Sequence, residues 1–431
     1  MIQLGFMETD ITPTGSMETI GFNRENNRSE GILAPLKAQV TVWENGKERC
    51  CLTAVDHIGF SKSHGKKLRE EIGAVCGITK DKVMLCFSHS HSAPNDDVEV
   101  DYYQWLCGRV TEAAKKAMEN RKPVQTAWEN AYVDIGVNRR KGCKALDRRA
   151  GILKVWDAET KKVSFILLRL TAHANVLKRD NYLISPDYFG TVRERFRQEY
   201  GCPVVVTQGA AGNVSPKFFQ SRVTPYDATG EAYVRSDTAL LDMAGEIFNK
   251  AAPVIEGMTP CGSDRLSMVS ETIALKSEVP DEAAAEKIVR EARQYSGIEN
   301  PGWLEEVRRL RALHIKEQTD ETEVQFFWIG NGCLCGVSNE VMVEFALEIA
   351  RKSGDEHIYF GGYTNGCTGY FPTEEEYDKG GYEVFWSMLE YYSYYNRVMP
   401  LRRESASQLI DFVTEKLEQQ SRETEKTADK K

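Results

Sequence analysis

Apolar runs of five to eight residues recur along this chain, and several stop abruptly at small, hydroxyl-bearing or ionisable residues. Val83-Met84-Leu85-Cys86-Phe87 is followed by Ser88-His89-Ser90-His91-Ser92-Ala93-Pro94. The run from Val163 to Leu170 gives way to Thr171-Ala172-His173, and Pro203-Val204-Val205-Val206-Thr207 to a loop of small residues that reaches Ser215. Later, apolar stretches at 323–330 and 333–338 end in Ser338-Asn339-Glu340, and one that starts at His357 enters a glycine-rich loop ending at Tyr370. Continuous apolar runs of this length read as buried strands. Polar residues at strand ends are where a rigid scaffold hands chemistry to a site.

Between these runs the pattern predicts strands at 35–44 and 49–56 across an Asn45-Gly46 hairpin signal, then a helix over 61–77. That β-β-α-β order implies a mixed sheet and an α/β protein, with mixed β-sheets and flanking helices. Further on come a helix at 99–120, strands at 124–137, 151–156 and 163–170, and a helix opened by Pro186 that runs to 200. Helices at 228–252 and 281–318, the second broken near 296–301, form a charged helical section over 228–320. Helices at 341–352 and 404–420 complete a single large domain spanning 1–420, followed by a disordered tail at 421–431.

Composition narrows the partners. Lysine and arginine total 55 against 64 acidic residues, a net charge of −9 over 431 residues. Such a balance disfavours nucleic acid and anionic membrane surfaces, leaving a small-molecule substrate as the expectation. Eleven cysteines without a C-x-x-C pair read as reduced packing residues, Cys333 and Cys335 included. The first ten residues have no basic n-region or apolar h-region, and no apolar run approaches the ~20 residues of a transmembrane segment. A cytoplasmic location is expected; the oligomeric state is not legible.

The chemistry sits at the strand ends. Histidine occurs only seven times, and two of the seven form the His89-x-His91 pair. On extended backbone their side chains point to opposite faces, one free to bind a metal and the other to face a substrate. His89, His173 and Glu340 together are the ligand set of a hydrolytic zinc centre with one position left for water, although their spacing is no local zinc motif. The turn at Gly136-Val137-Asn138-Arg139-Arg140 reads first as a solvated charge cluster. The irregular opening around Gly21 reads as backbone placed against a substrate, and Asp187 as a carboxylate supporting a ligand histidine.

Taken in order, Thr9-Asp10-Ile11-Thr12-Pro13, Asn23-Arg24, Ser88 to Pro94, the His173 block with Ile184-Ser185-Pro186-Asp187-Tyr188, Gly212-Asn213-Val214-Ser215-Pro216, Asn339-Glu340 and Gly369 to Tyr382 resemble the catalytic domain of the neutral/alkaline non-lysosomal ceramidase family. The resemblance runs from about residue 8 to residue 385. It implies one zinc ion held by His89, His173, Glu340 and Tyr370. It also implies a substrate-facing His91, a catalytic Tyr382, a substrate-binding Arg139 from Asn138-Arg139, and Ser215 as either nucleophile or substrate-binding hydroxyl. His91 and Tyr382 would donate to the carbonyl oxygen as charge develops on it.

The chain departs from the family in two places. Gly212-Asn213-Val214-Ser215-Pro216-Lys217 stands where the family has Gly-Asp-Val-Ser-Pro-Asn, so a carboxylate is lost and a cation gained. Ala93-Pro94-Asn95-Asp96-Asp97 replaces the glycine that follows the histidine motif. The chain also ends soon after the tyrosine motif, implying no immunoglobulin-like C-terminal domain. The expected activity is zinc-dependent hydrolysis of an amide in a small N-acyl substrate. Ester hydrolysis, an N-acyl sugar or amino acid as substrate, and a silent binding protein of the same fold are the alternatives.

Overall fold

The computed structural model describes residues 1–223 and 232–428. Eight strands form the larger sheet: Ile2–Asp10 (β1), Lys37–Glu44 (β2), Arg49–Val55 (β3), Val83–Phe87 (β4), Lys122–Tyr132 (β5), Arg149–Asp157 (β6), Val163–Leu170 (β7) and Val204–Gln208 (β8). Their spatial order is β8-β7-β6-β5-β1-β2-β3-β4. The two outer pairs, β3 with β4 and β7 with β8, are parallel, and the inner pairs are antiparallel. A second sheet takes Leu266–Glu278 (β9), Glu317–Ile329 (β10), Gly332–Gly336 (β11) and Ile358–Gly361 (β12) in chain order, with β11 and β12 parallel.

Alternation along the strands explains the stacking. Val83, Leu85 and Phe87 pack against the helices Lys62–Cys76 (α1) and Val100–Glu119 (α2). Met84 and Cys86 point the other way, into a core shared with Phe327, Ile329, Leu334 and Tyr359 of the second sheet. The opposite residues of that sheet, Phe326, Trp328, Cys333 and Cys335, pack on the helix Val343–Ser353 and the terminal helix Ser405–Ala428. Helices Tyr188–Tyr200 (α3) and Ala239–Gly257 (α4) cover the β5 to β8 half of the first sheet. The result is helices, sheet, sheet and helices in four layers. All eleven cysteines are free, and Cys333 and Cys335 are packing residues.

Several elements differ from expectation. The charged section contains a 13-residue strand, β9, at the sheet edge. Charged and hydroxyl residues interrupt its apolar alternation, and its apolar side chains divide between the faces, Leu266 and Met268 in the inter-sheet core and Leu275 on the helix side. The helix expected over 281–318 breaks where expected, between Glu282–Ser296 and Pro301–Ala312 at the left-handed cap Gly297, but it ends at Ala312, and residues from Glu317 onward are strand. The helix expected from 228 starts at Ala239, and 224–231 lie outside the described residues. Pro186 precedes the helix rather than opening it, because Asp187 is the N-cap. The terminal helix continues through Ala428, where a disordered tail was expected; residues 429–431 lie outside the described residues.

Candidate active site and metal centre

Strand ends from both sheets meet at one edge of the sandwich. β4 stops at Phe87, and His89 takes a left-handed backbone (φ 62°), its N–H donating to the His57 carbonyl at 2.9 Å. This turn, rather than extended backbone, carries His89 and His91, so the two rings do not point to opposite faces. Their centroids lie 4.9 Å apart, and His173 from the end of β7 stands 4.8 Å from His89 and 5.7 Å from His91. Glu340 follows β11 on a two-residue strand whose parallel partner begins with Tyr370, an arrangement that sets Tyr370 beside Glu340. Gly212 closes the back: a Cβ there would sit 2.3 Å from the Glu340 carbonyl oxygen.

Each imidazole is held by the same device. Nδ1 of His89 donates to the Ile58 carbonyl at 2.7 Å, that of His91 to the Gly21 carbonyl at 2.9 Å, and that of His173 to the Ala211 carbonyl at 2.7 Å. A carbonyl cannot donate, so each neutral ring carries its proton on Nδ1 and offers the Nε2 lone pair. Nε2 of His89 and of His173 lie 3.2 and 3.3 Å from the same oxygen, Oε2 of Glu340. Nε2 of His91 and of His173 are buried without a hydrogen-bond partner. Burial lowers His173 to about 4, Arg139 assisting, and pushes His91 well below its usual range. Burial alone would raise Glu340, but positive charge at the Nε2 edges of His89 and His173 holds it well below the carboxylate range, a place that a cation takes when both rings are neutral. Neutral imidazoles beside an ionised carboxylate are what a divalent metal requires, and His89, His91 and His173 are close enough together to hold one.

The remaining expected residues fall into three groups. Gly21, Tyr370 and Tyr382 line a cavity of about 460 Å³ with His89, His91 and Glu340, and Tyr391, Tyr394 and Tyr395 form a further wall. Gly21 has φ 110°, and a Cβ would meet His91 Nδ1 at 2.6 Å, so only glycine fits there. Arg139 stands behind this wall: its guanidinium donates to the Tyr370 hydroxyl at 3.0 Å and the Gly212 carbonyl at 2.7 Å, and faces Glu383 at 2.9 Å. It braces Tyr370 rather than reaching the cavity. Burial and Glu340 push the Tyr370 phenol well above its ordinary range, and Arg139 opposes them.

Ser215 is half-buried on the strand Val214–Pro216, beside the Val214 carbonyl that accepts from the His173 N–H, and it does not line the cavity. Asp187 is not a histidine partner. Its carboxylate accepts the N–H groups of Val176, Leu177 and Tyr188, and backbone carbonyls take the histidine positions it was expected to fill.

Both departures at the serine motif have structural explanations. Asn213 accepts from Val343 N–H at 2.8 Å and donates to Glu344 at 3.0 Å, whereas an aspartate would set two carboxylates against each other. Lys217 is paired with Asp134.

Sequence reasoning missed Tyr363, whose hydroxyl donates to Glu340 at 3.4 Å and whose ring lies 4.4 Å from His89. It also missed Glu383, although Glu383 adjoins Tyr382. The carbonyls of Ile58, Gly21 and Ala211 carry no side-chain signal at all.

No protein-family model matches the sequence, and no curated protein does either. Solved structures share its fold, two ceramidases among them. Neutral ceramidase from Pseudomonas aeruginosa is 16% identical, with a TM-score of 0.67 over 94% of this chain and 75% of its own. A ceramidase complexed with C2 is 16% identical, with a TM-score of 0.67 over 93% and 76%. The α/β fold of the ceramidase catalytic domain is therefore the fold of this chain.

Proposed function

From this ceramidase-like fold, we propose that the chain is a zinc-dependent hydrolase that cleaves the amide bond of a compact N-acyl substrate. The observation that carries the reading is the convergence of His89 and His173 Nε2 on Glu340 Oε2. One zinc ion would be held by these three residues, with Tyr370 beside them, and when bound it supplies a water ionised near neutral pH and polarises the scissile carbonyl. Glu340 is preferred to His91 as the third ligand because its Oε2 lies within 3.3 Å of both Nε2 atoms.

His91 presents an Nε2 lone pair, since its Nδ1 proton is committed to Gly21. It serves as the base that takes the proton of the attacking water and returns it to the leaving nitrogen, not as the carbonyl donor the resemblance implied. Tyr382, whose hydroxyl now donates to Glu390 at 3.3 Å, supplies the hydrogen bond to the developing oxyanion. Arg139 keeps the Tyr370 hydroxyl in place. Ser215 takes neither of its expected roles in this reading: it does not line the cavity, and among the described residues no imidazole or carboxylate hydrogen-bonds to its hydroxyl, a base that a serine nucleophile needs.

Substrate size follows from the cavity. A narrow cavity walled by five tyrosines suits a compact, uncharged acyl group better than a two-chain lipid. Eleven free cysteines support a reducing, cytoplasmic setting, and among the described residues no helix is long and apolar enough to cross a membrane.

The test is a panel of N-acyl amino acids, N-acyl sugars, simple esters and short- and long-chain ceramides, assayed with zinc on the wild type and on His89→Ala. Cleavage of the smaller amides is expected, and it should disappear with the metal in the variant. A wild type that carries stoichiometric zinc and cleaves no amide overturns the hydrolase reading in favour of a binding protein.

A further inference from the structure

The segment that carries Tyr382 into the cavity wall holds two carboxylates in opposite surroundings. Glu383 is buried between two guanidinium groups, with Arg139 and Arg140 each at 2.9 Å. Glu390, further along the same backbone, is half-buried, and among the described residues no cation stands within ion-pair distance of it. The π-helical turn Tyr382–Trp386 runs without a break into the helix Ser387–Tyr395, the Ser387 N–H being taken by the carbonyls of Tyr382 and Phe385. Glu390 therefore stands inside continuous helix, where no free N–H supports a carboxylate.

Its surroundings are phenolic or apolar. The Tyr382 hydroxyl lies 3.3 Å from Glu390 Oε2. Tyr391 is the other titratable group facing it, and burial pushes that phenol up, so it stays neutral. The helix Pro301–Ala312 meets the same segment through uncharged groups, Trp303 in the core with Leu389 and the capping Asn300 amide on the Leu389 carbonyl. The helix Glu282–Ser296 meets it through Tyr295, whose ring stacks on Trp386 at 5.8 Å.

A phenol has one proton to give. In the hydrolase reading, on which this inference rests, Tyr382 gives it to the developing oxyanion. An ionised Glu390 offers only lone pairs and competes for that same proton. A protonated Glu390 donates its own proton to the Tyr382 oxygen and leaves the Tyr382 O–H free to point elsewhere. Burial raises Glu390 above the ordinary carboxylate value, with the Tyr382 hydrogen bond opposing it, which favours the acid form.

We propose that Glu390 is a positioning residue that works as a neutral acid, donating to the Tyr382 hydroxyl oxygen so that Tyr382 turns its own proton towards the scissile carbonyl. Ionisation of Glu390 reverses this hydrogen bond and withdraws the donor. The active form is the protonated one, so activity falls as pH rises through the Glu390 pKa. Glu390 does not line the cavity and forms no bond to substrate.

Two substitutions separate this role from packing. Cleavage of N-butanoyl-4-nitroanilide by the zinc-loaded, full-length protein is followed across pH, with kcat and KM read separately. The wild type should lose kcat on the alkaline side. Glu390→Leu, which fills the space without a proton, should lower kcat by about 10- to 100-fold at every pH and leave KM unchanged. Glu390→Gln, whose amide donates to the Tyr382 oxygen at any pH, should restore most of kcat and abolish the alkaline fall. A Glu390→Gln enzyme that keeps the alkaline fall, or is as slow as Glu390→Leu, overturns the proposal. Infrared difference spectra of wild type against Glu390→Gln read the proton without turnover. The carbonyl stretch of a protonated carboxyl is expected near neutral pH and should vanish in alkali, and its absence at neutral pH also overturns the proposal. A protein that shows this band and cleaves no amide removes the hydrolase reading and leaves the proton arrangement standing.

Discussion

Two histidine clusters, one at the candidate metal centre and one where His64 meets Asp96 and Asp97, are built from opposite kinds of support. At His89, His91 and His173 every Nδ1 is tied to a backbone carbonyl, so the Nε2 atoms converge as lone pairs on or beside Glu340. At His64 it is Nδ1 itself that faces carboxylates, and the ring is partly open to solvent. Backbone carbonyls are fixed by the fold and cannot titrate, so the first cluster is preorganised over a wide pH range. The second depends on the charge states of its own members. A catalytic ion needs the former, because ligands that must first be ordered forfeit binding energy.

The sharpest way to break this comparison is to exchange the roles within the first cluster. Glu340→Gln should lose the metal, and its activity should fall by more than the 10–100-fold typical of removing a supporting hydrogen bond. His91→Ala should keep the metal and lose about 10²–10⁴-fold in kcat. If His91→Ala loses the metal while Glu340→Gln retains it, the three histidines are the ligand set instead.

Acidification separates the clusters next. Protons compete with metal for an imidazole, and His173 is lowered from 6.5 to about 4 while His64 is raised from 6.5 by its hydrogen bond to Asp96. As pH falls, the His64 imidazole should therefore protonate first, and His173 should stay neutral, and able to hold a metal, until the pH nears about 4. Proton NMR of the ring signals across a pH series, with elemental analysis for the His173 metal, reads both steps, and simultaneous protonation would contradict the contrast. The smallest effect is local. In metal-free protein Asp96→Asn should lower the His64 pKa, because the hydrogen bond from His64 to Asp96 is the main cause of its elevation. Proton NMR titration of the His64 ring measures it, while the neighbouring His89 and His91 signals should stay in place.

Much of the candidate site was visible as strand ends. His89, His91, His173, Glu340 and Tyr370 follow apolar runs, and those runs are the strands β4, β7, β11 and β12 that the sheets bury on both faces. The edge strand β9 was hidden because charged and hydroxyl residues interrupt its apolar alternation. Asp187 misled because an acidic residue close in sequence to a histidine is not thereby aimed at it: the nearest unsatisfied donors are the N–H groups at the start of its own helix and in the adjoining loop.

By itself the sequence determined where strands end, which residue types those ends carry, and that the interior would be apolar enough to bury them. These follow from local periodicity, which depends only on near neighbours along the chain. Tertiary structure alone decided the direction of His89 through its left-handed turn, the tautomers through Ile58, Gly21 and Ala211, and the engagement of Arg139 by Tyr370 and Glu383. Those choices are made by backbone groups and by side chains distant in sequence, which meet only when the two sheets stack.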